Sequence, residues 1–200
     1  MATKLTFQHF ICEQGTSEQG DESPYFLTWV GNIADNKSTV HYTRQAVWND
    51  NVPENPNGIW LVNEAIVRNF DLSPLRALAL TVMIEEDQGV DLTRTEARRI
   101  DSTDSFTSVR ERMAQLLNTH FNQHSSLQDA VVVRNFQNTF AFAVRGFLDD
   151  PVGDQDDLME DTDSNILAAR KIDLAAPNKL PEVVYRDHSG GRYRARFKLD

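Results

Sequence analysis

Gly20-Asp21-Glu22-Ser23-Pro24-Tyr25 runs straight into Phe26-Leu27-Thr28-Trp29-Val30. The first half is a polar, acidic loop. The second is a dense run of aromatic and aliphatic residues with the composition of a strand. Pro24 stands at the junction, where a missing backbone donor is tolerated because the strand is only beginning. A second acidic stretch, Glu85-Glu86-Asp87-Gln88-Gly89-Val90-Asp91, follows another apolar run. A third, Asp154-Gln155-Asp156-Asp157-Leu158-Met159-Glu160-Asp161, stands far downstream. The rest of the chain is organised around these three loops.

Working outward, residues 4–12 alternate. Leu5, Phe7, His9 and Ile11 fall on one face, and Thr6, Gln8, Phe10 and Cys12 on the other. Both faces carry apolar residues, the pattern of a strand covered on both sides. Residues 38–48 alternate again, with Val40, Tyr42 and Arg44 on one face. Residues 49–58 (Asn-Asp-Asn-Val-Pro-Glu-Asn-Pro-Asn-Gly) have loop composition. Residues 59–67 and 78–84 read as strands, and Leu78, Leu80, Val82 and Ile84 make one clean apolar face. Short strands separated by polar turns predict an antiparallel β-sandwich.

From residue 91 to 150 the period becomes helical. Residues 93–100 have the caps of a short helix. In a second, beginning at Asp104 or Ser105, Phe106, Val109, Met113, Leu116, Leu117 and Phe121 recur at three- and four-residue steps. A third begins at Ser125 or Ser126. Leu127, Ala130, Val131, Phe136, Phe140, Val144 and Phe147 form its stripe, widened by Val132, Val133, Phe142 and Ala143. Two amphipathic helices joined by a short turn predict a hairpin. The extra width of the third helix calls for another cover: the sandwich, a partner or another copy.

Residues 149–163 hold eight acids and no base. Residues 165–172 read as a strand, and residues 182–187 and 192–198 as a closing hairpin. In its last strand Tyr193, Ala195 and Phe197 face one way, while Arg192, Arg194, Arg196 and Lys198 face the other.

The whole chain has 200 residues and a formal net charge of −10. That excess argues against a nucleic-acid partner, which needs a basic face to neutralise phosphates, and suits cation binding. Forty per cent of residues are hydrophobic, enough for a real core. The single cysteine, Cys12, allows no internal disulfide. Residues 1–6 lack a basic stretch followed by an apolar run, and no run approaches eighteen apolar residues. The expectation is a chain with no transmembrane segment, cytoplasmic or exported without a cleaved signal peptide.

The order and flavour of the three acidic loops resemble those of a C2 domain. In that family a loop of the form D-x-x-G-x-S-D-P-Y opens the second strand, and a later loop reads W-D-x-D…D-D-x-(I/L)-G. Gly20–Tyr25, Glu85-Glu86-Asp87 and Asp156-Asp157-Leu158-Met159-Glu160 are the matching pieces. Ile11-Cys12, Asp21-Glu22-Ser23-Pro24-Tyr25 and the aromatic-basic strand 192–198 are also similar to a loose group of bacterial C2-like modules. The chain differs from the family pattern at Ser23, at Ile84 in place of tryptophan, and at Glu160 in place of glycine. The resemblance implies a mainly β, overall α+β fold. Residues 1–90 and 151–200 would form an antiparallel C2-like β-sandwich, and residues 91–150 an inserted α-helical hairpin in the third ion loop. It further implies a calcium ion, Ca2+, held by Asp21, Glu22, Glu85, Asp87, Asp156 and Asp157. Calcium takes six to eight oxygen ligands, largely carboxylates and carbonyls.

Other chemistry is thin. His120 and His124 share the spacing of zinc ligands, but Phe121 stands where a zinc protease needs glutamate, and no third ligand is evident. There is no G-x-S-x-G and no phosphate-cradling glycine loop. The expectation is a non-enzymatic binding or assembly module, calcium-dependent, docking on a protein partner, on another copy of itself or on an anionic membrane surface. Phe136, Phe140, Phe147, Arg192, Arg194 and Arg196 are its candidate contact residues. The alternatives are an ion-independent structural component of a larger particle or secretion assembly, and a hydrolase using the acidic cluster.

Overall fold

A computed structural model of the chain describes residues 2–14, 24–43, 58–86, 104–122, 126–148, 156–158, 169–176, 178–186 and 191–200. It has nine strands and two helices among those residues. They are β1 (Lys4–Gln14), β2 (Pro24–Asn32), β3 (Lys37–Thr43), β4 (Trp60–Arg68), β5 (Ala77–Glu86), α1 (Asp104–Asn122), α2 (Ala130–Leu148), β6 (Asp156–Leu158), β7 (Arg170–Ile172), β8 (Glu182–Arg186) and β9 (Arg192–Leu199). The fold is therefore α+β and mostly β. One sheet has the order β4-β1-β9-β8. The other has the order β3-β2-β5, and both β6 and β7 pair with the far side of β5. Among the described residues every strand pairing is antiparallel.

The two sheets face each other across an aromatic core. Phe7 of β1 meets Phe26 of β2 edge-on, with ring centroids 4.8 Å apart, and stacks on Phe197 of β9 at 4.9 Å. Phe26 also reaches Tyr185 of β8 at 5.8 Å. Offset and edge-on pairs of this kind add to the burial of their area. One polar link crosses the same core. The buried Tyr185 hydroxyl donates to Thr81 Oγ1 at 2.9 Å, and Thr28 Oγ1 lies 3.3 Å from Thr81 Oγ1.

The helices form a third layer, on the other face of the β3-β2-β5 sheet. Leu27 and Trp29 of β2, Val40 of β3, and Leu78, Leu80 and Val82 of β5 pack there against Val109, Met113 and Leu117 of α1 and Phe136, Phe140 and Val144 of α2. Trp29 stacks on Phe136 at 5.2 Å. Gly31 makes room for that indole, since a Cβ at position 31 would overlap the Trp29 ring. Amide side chains tie the layer to the sheet. Asn36 Nδ2 donates to Asn118 Oδ1 at 2.9 Å, Gln137 Nε2 donates to the Ala169 carbonyl at 2.7 Å, and Gln128 donates to the Pro74 carbonyl. Helix α2 therefore runs alongside β5, from the Pro74 end towards the Glu86 end.

Two expectations need correction. First, β1 is not a strand covered equally on both sides. A bulge between Phe7 and His9 shifts the alternation, so Leu5, Phe7, Phe10 and Cys12 all point into the core, while His9 and Ile11 lie on the half-buried outer face. The strands sandwiched between layers are β2 and β5. Second, α2 starts at Ala130 rather than Ser125 or Ser126. Asp129 caps it, its Oδ1 accepting from the backbone N–H of Val131 at 2.8 Å and of Val132 at 3.3 Å. The strand expected over residues 38–48 is described as far as Thr43. Residues 44–48, the short helix over 93–100 and residues 165–168 lie outside the described residues.

Candidate functional site

The strand directions gather one set of chain ends together. Gln14 leaves β1 at the end where Pro24 enters β2. Pro24 lies opposite Glu85 at the end of β5, and Glu85 lies opposite Asp157 at the start of β6. Arg192, at the start of β9, is the partner of Gln14. The ends of β1 and β5 and the starts of β2 and β6 thus share one end of the molecule. These are the strands flanking all three acidic stretches. The opposite end has the short turns 33–36 and 69–76 and the chain's own residues 2–3 and 200.

Two acidic pairs face each other across the β5–β6 ladder: Glu85 opposite Asp157, and Glu86 opposite Asp156. Directly opposed residues of an antiparallel pair share a face and sit within about 4.5–5.5 Å at Cβ, so like charges there oppose the pairing. The donor chemistry is all oxygen, which fits a hard cation such as calcium. Of the expected ligands, this register sets Glu85 and Asp157 opposite each other on one face of the ladder, and Asp156 on the other face. Glu86, absent from the expected set, joins them as the partner of Asp156. A strand-register reading of β5 and β6 is the signal that finds it. Asp21, Glu22 and Asp87 lie outside the described residues. Among the described residues, no group of three His, Cys, Asp or Glu side chains is placed to hold a metal.

The basic stripe on β9 occupies the outer face of the other sheet, where it forms an ion-pair ladder. Arg194 pairs with Glu13. Arg192 Nε lies 2.7 Å from Glu13 Oε2, though off the hydrogen-bonding angle. On the other side Arg196 pairs with Glu182 at 2.8 Å, and Arg194 Nε lies 3.4 Å from Glu182 Oε1. Two carboxylates are thus shared among three guanidiniums, leaving the stripe less positive than its sequence. His9 lies opposite Arg196 on the same face. Burial first, and the Arg196 charge second, hold its imidazole below the ordinary histidine value, with Glu182 opposing.

The aromatic contact candidates are placed differently. Phe136 and Phe140 are completely buried, and what they meet is the protein's own sheet. They are spent on the helix–sheet core and offer no surface to a partner. Phe147 lies on α2, with only its backbone position described. Among its described side chains, the large apolar ones that α2 exposes are Val131, at 78 % of its surface, and Phe142, at 60 %. His120 packs its ring 5.2 Å from Phe136, and His124 lies outside the described residues. No described helix is long and apolar enough to cross a membrane.

Comparison with family models, with curated proteins and with solved structures finds no match to this chain.

Proposed function

We propose that the protein is a non-enzymatic binding or assembly module, a C2-like β-sandwich whose acidic end takes a calcium ion and docks on a protein partner or a membrane surface. The observation that carries this reading is the β5–β6 register, which sets Glu85 against Asp157 and Glu86 against Asp156 at the end of the molecule where the acidic stretches leave their strands. A short ladder built from opposed like charges is costly on its own. A divalent cation offsets that cost, because it supplies positive charge at the strand ends that carry these opposed acids. Asp21, Glu22 and Asp87 complete the ligand set in this reading. When bound, calcium neutralises the cluster and ties the two sides of the helical segment to the same strand ends.

Thermal unfolding in EDTA, in millimolar calcium and in millimolar magnesium tests it. A ligand that binds only the folded state at a hundredfold above its Kd adds about 2.7 kcal/mol. In a chain of this size that is a rise of roughly 5–11 °C in Tm. The rise is expected with calcium, smaller with magnesium, and lost in the double variant Asp21→Asn/Asp157→Asn. An unchanged Tm in calcium overturns the ion site. The exposed Val131 and Phe142 favour a second reading, an ion-independent structural component. It predicts assembly that is indifferent to chelator.

A further inference from the structure

The outward face of α2 has a pattern that its inward face does not need. Val131, Asn135, Asn138 and Phe142 follow one another at steps of four, three and four residues. That spacing places them in a single line along the helix, as the seam positions of a coiled coil are placed. Val131 and Phe142 are the exposed large apolar residues among the helix's described side chains, Asn135 is exposed, and Asn138 is half-buried. The line has apolar ends and an amide centre, and it reads nearly the same in both directions. The nineteen residues of α2 include no acid, and among the described residues no carboxylate pairs with the exposed Arg134.

We infer that this face is the contact between two copies of the chain, paired through antiparallel α2 helices about a two-fold axis between Phe136 and Gln137. A two-fold contact must be self-complementary, residue i meeting j while j meets i. Antiparallel pairing about that axis sets Val131 against Phe142 of the other copy at each end. It sets Asn135 against Asn138 in the middle, where two amides can exchange hydrogen bonds. Arg134 meets the position of Thr139, so no two like charges oppose each other. Paired asparagines at a seam fix register at some expense of affinity.

Electrostatics selects the antiparallel orientation over the parallel one. Helix α2 starts beside Pro74 and Lys171 and runs towards the acidic end, where Glu86 faces Asp156. Parallel pairing would stack the two acidic ends of a chain that carries a net charge of −10. Antiparallel pairing separates them by about the 28 Å length of the helix. Each acidic end then lies towards the other copy's Arg76 and Lys171. The partner is therefore a second copy rather than a lipid surface, because among the described side chains the large apolar ones that protrude from this face are Val131 and Phe142, and the helix's broad apolar side is already packed on the sheet. This contact is independent of the calcium reading.

One helix face per copy is a small contact, below about 1,200 Å² in total, so the dimer is expected in the micromolar range. Sedimentation velocity in EDTA, from low micromolar to about 1 mM protein, should show a reversible monomer–dimer equilibrium. Phe142→Asp, at an exposed site, should weaken it at least about tenfold. Orientation is read with a short bis-maleimide. Asn135→Cys should cross-link efficiently, because its two copies sit near the axis. Val131→Cys should not, because its two copies are about 16 Å apart along the helices. Buried Cys12 is silent in the parent protein. A chain that stays monomeric throughout, a dimer unmoved by Phe142→Asp, or Val131→Cys linking as well as Asn135→Cys would each overturn the inference. Because calcium is absent, failure of the ion site leaves these outcomes unchanged.

Discussion

Replacing Phe136 by alanine tests whether the helical layer folds as one body with the sheet beneath it. Phe136 is completely buried, stacks on Trp29 at 5.2 Å and touches His120 at the same distance. Its removal takes an aromatic ring out of the centre of the helix–sheet core and leaves a cavity walled by Trp29 and the neighbouring helix. Large-to-small changes of this kind cost about 3–5 kcal/mol. That is a large share of the 5–15 kcal/mol that holds most domains folded. At roughly 2–4 °C per kcal/mol, Tm should fall by about 6–20 °C. Urea unfolding followed by both tryptophan fluorescence and far-ultraviolet circular dichroism reports the sheet and the helices separately. Both signals should shift together in a single transition. In a double-mutant cycle with Trp29→Ala, the ring pair should show a coupling of about 0.5–1.5 kcal/mol. A loss under about 1 kcal/mol, or helices that melt in a separate earlier step, would refute the shared core.

Two further predictions concern protons. His9 titrates below its ordinary value of 6.5 in the folded protein, so the unfolded chain binds more protons in the window just under that value. Stability from this source is present above pH 6.5 and is lost as pH falls through the lower, folded value. Urea midpoints measured between about pH 7.5 and 5 should decline less steeply in His9→Gln. Tyr185 behaves in the opposite sense. Burial pushes its phenol well above the ordinary 10.0, against smaller opposing effects from the Thr81 bond and Arg170. Its contribution is present below pH 10 and is lost as pH rises beyond it, because the unfolded chain ionises first. Tyr185→Phe should cost about 1 kcal/mol at neutral pH, the worth of a buried hydrogen bond, and should make the alkaline loss of stability shallower.

Much of the architecture could be read from alternation and period. The aromatic-in, basic-out pattern of residues 192–198 is what β9 shows, and the steps Val109, Met113, Leu117 are the buried stripe of α1. The bulge in β1 was not legible, because a single extra residue leaves no mark on composition yet reverses which face Phe10 and Cys12 occupy. The destination of α2's apolar side was also hidden. Phe136 and Phe140 look the same in sequence whether they meet a partner or the protein's own Trp29. What distinguishes them is the second apolar face of β2 and β5, which needs a cover. At the acidic end, Asp156 and Asp157 were legible as a charged run, but their pairing with Glu86 and Glu85 depends on a register set some seventy residues away along the chain. The charge-sharing of Arg194 between Glu13 and Glu182 likewise needs three strands side by side.

The hydroxyl link between Thr28, Thr81 and Tyr185 has a consequence that follows from the three-layer build. In most half-buried sheets a one-residue slip turns oily side chains to water, and that penalty alone keeps strands in step. Strands β2 and β5 lack this safeguard, since Leu27, Trp29, Leu78 and Leu80 on one side and Phe26, Val30, Ala79 and Met83 on the other are all buried. A slipped pairing would still be greasy on both faces. It would, however, strand three oxygen atoms in a dry interior, each without the neighbour it has now. Alignment of the central strands therefore rests on the few polar atoms in the core, and those atoms act as the fold's error check.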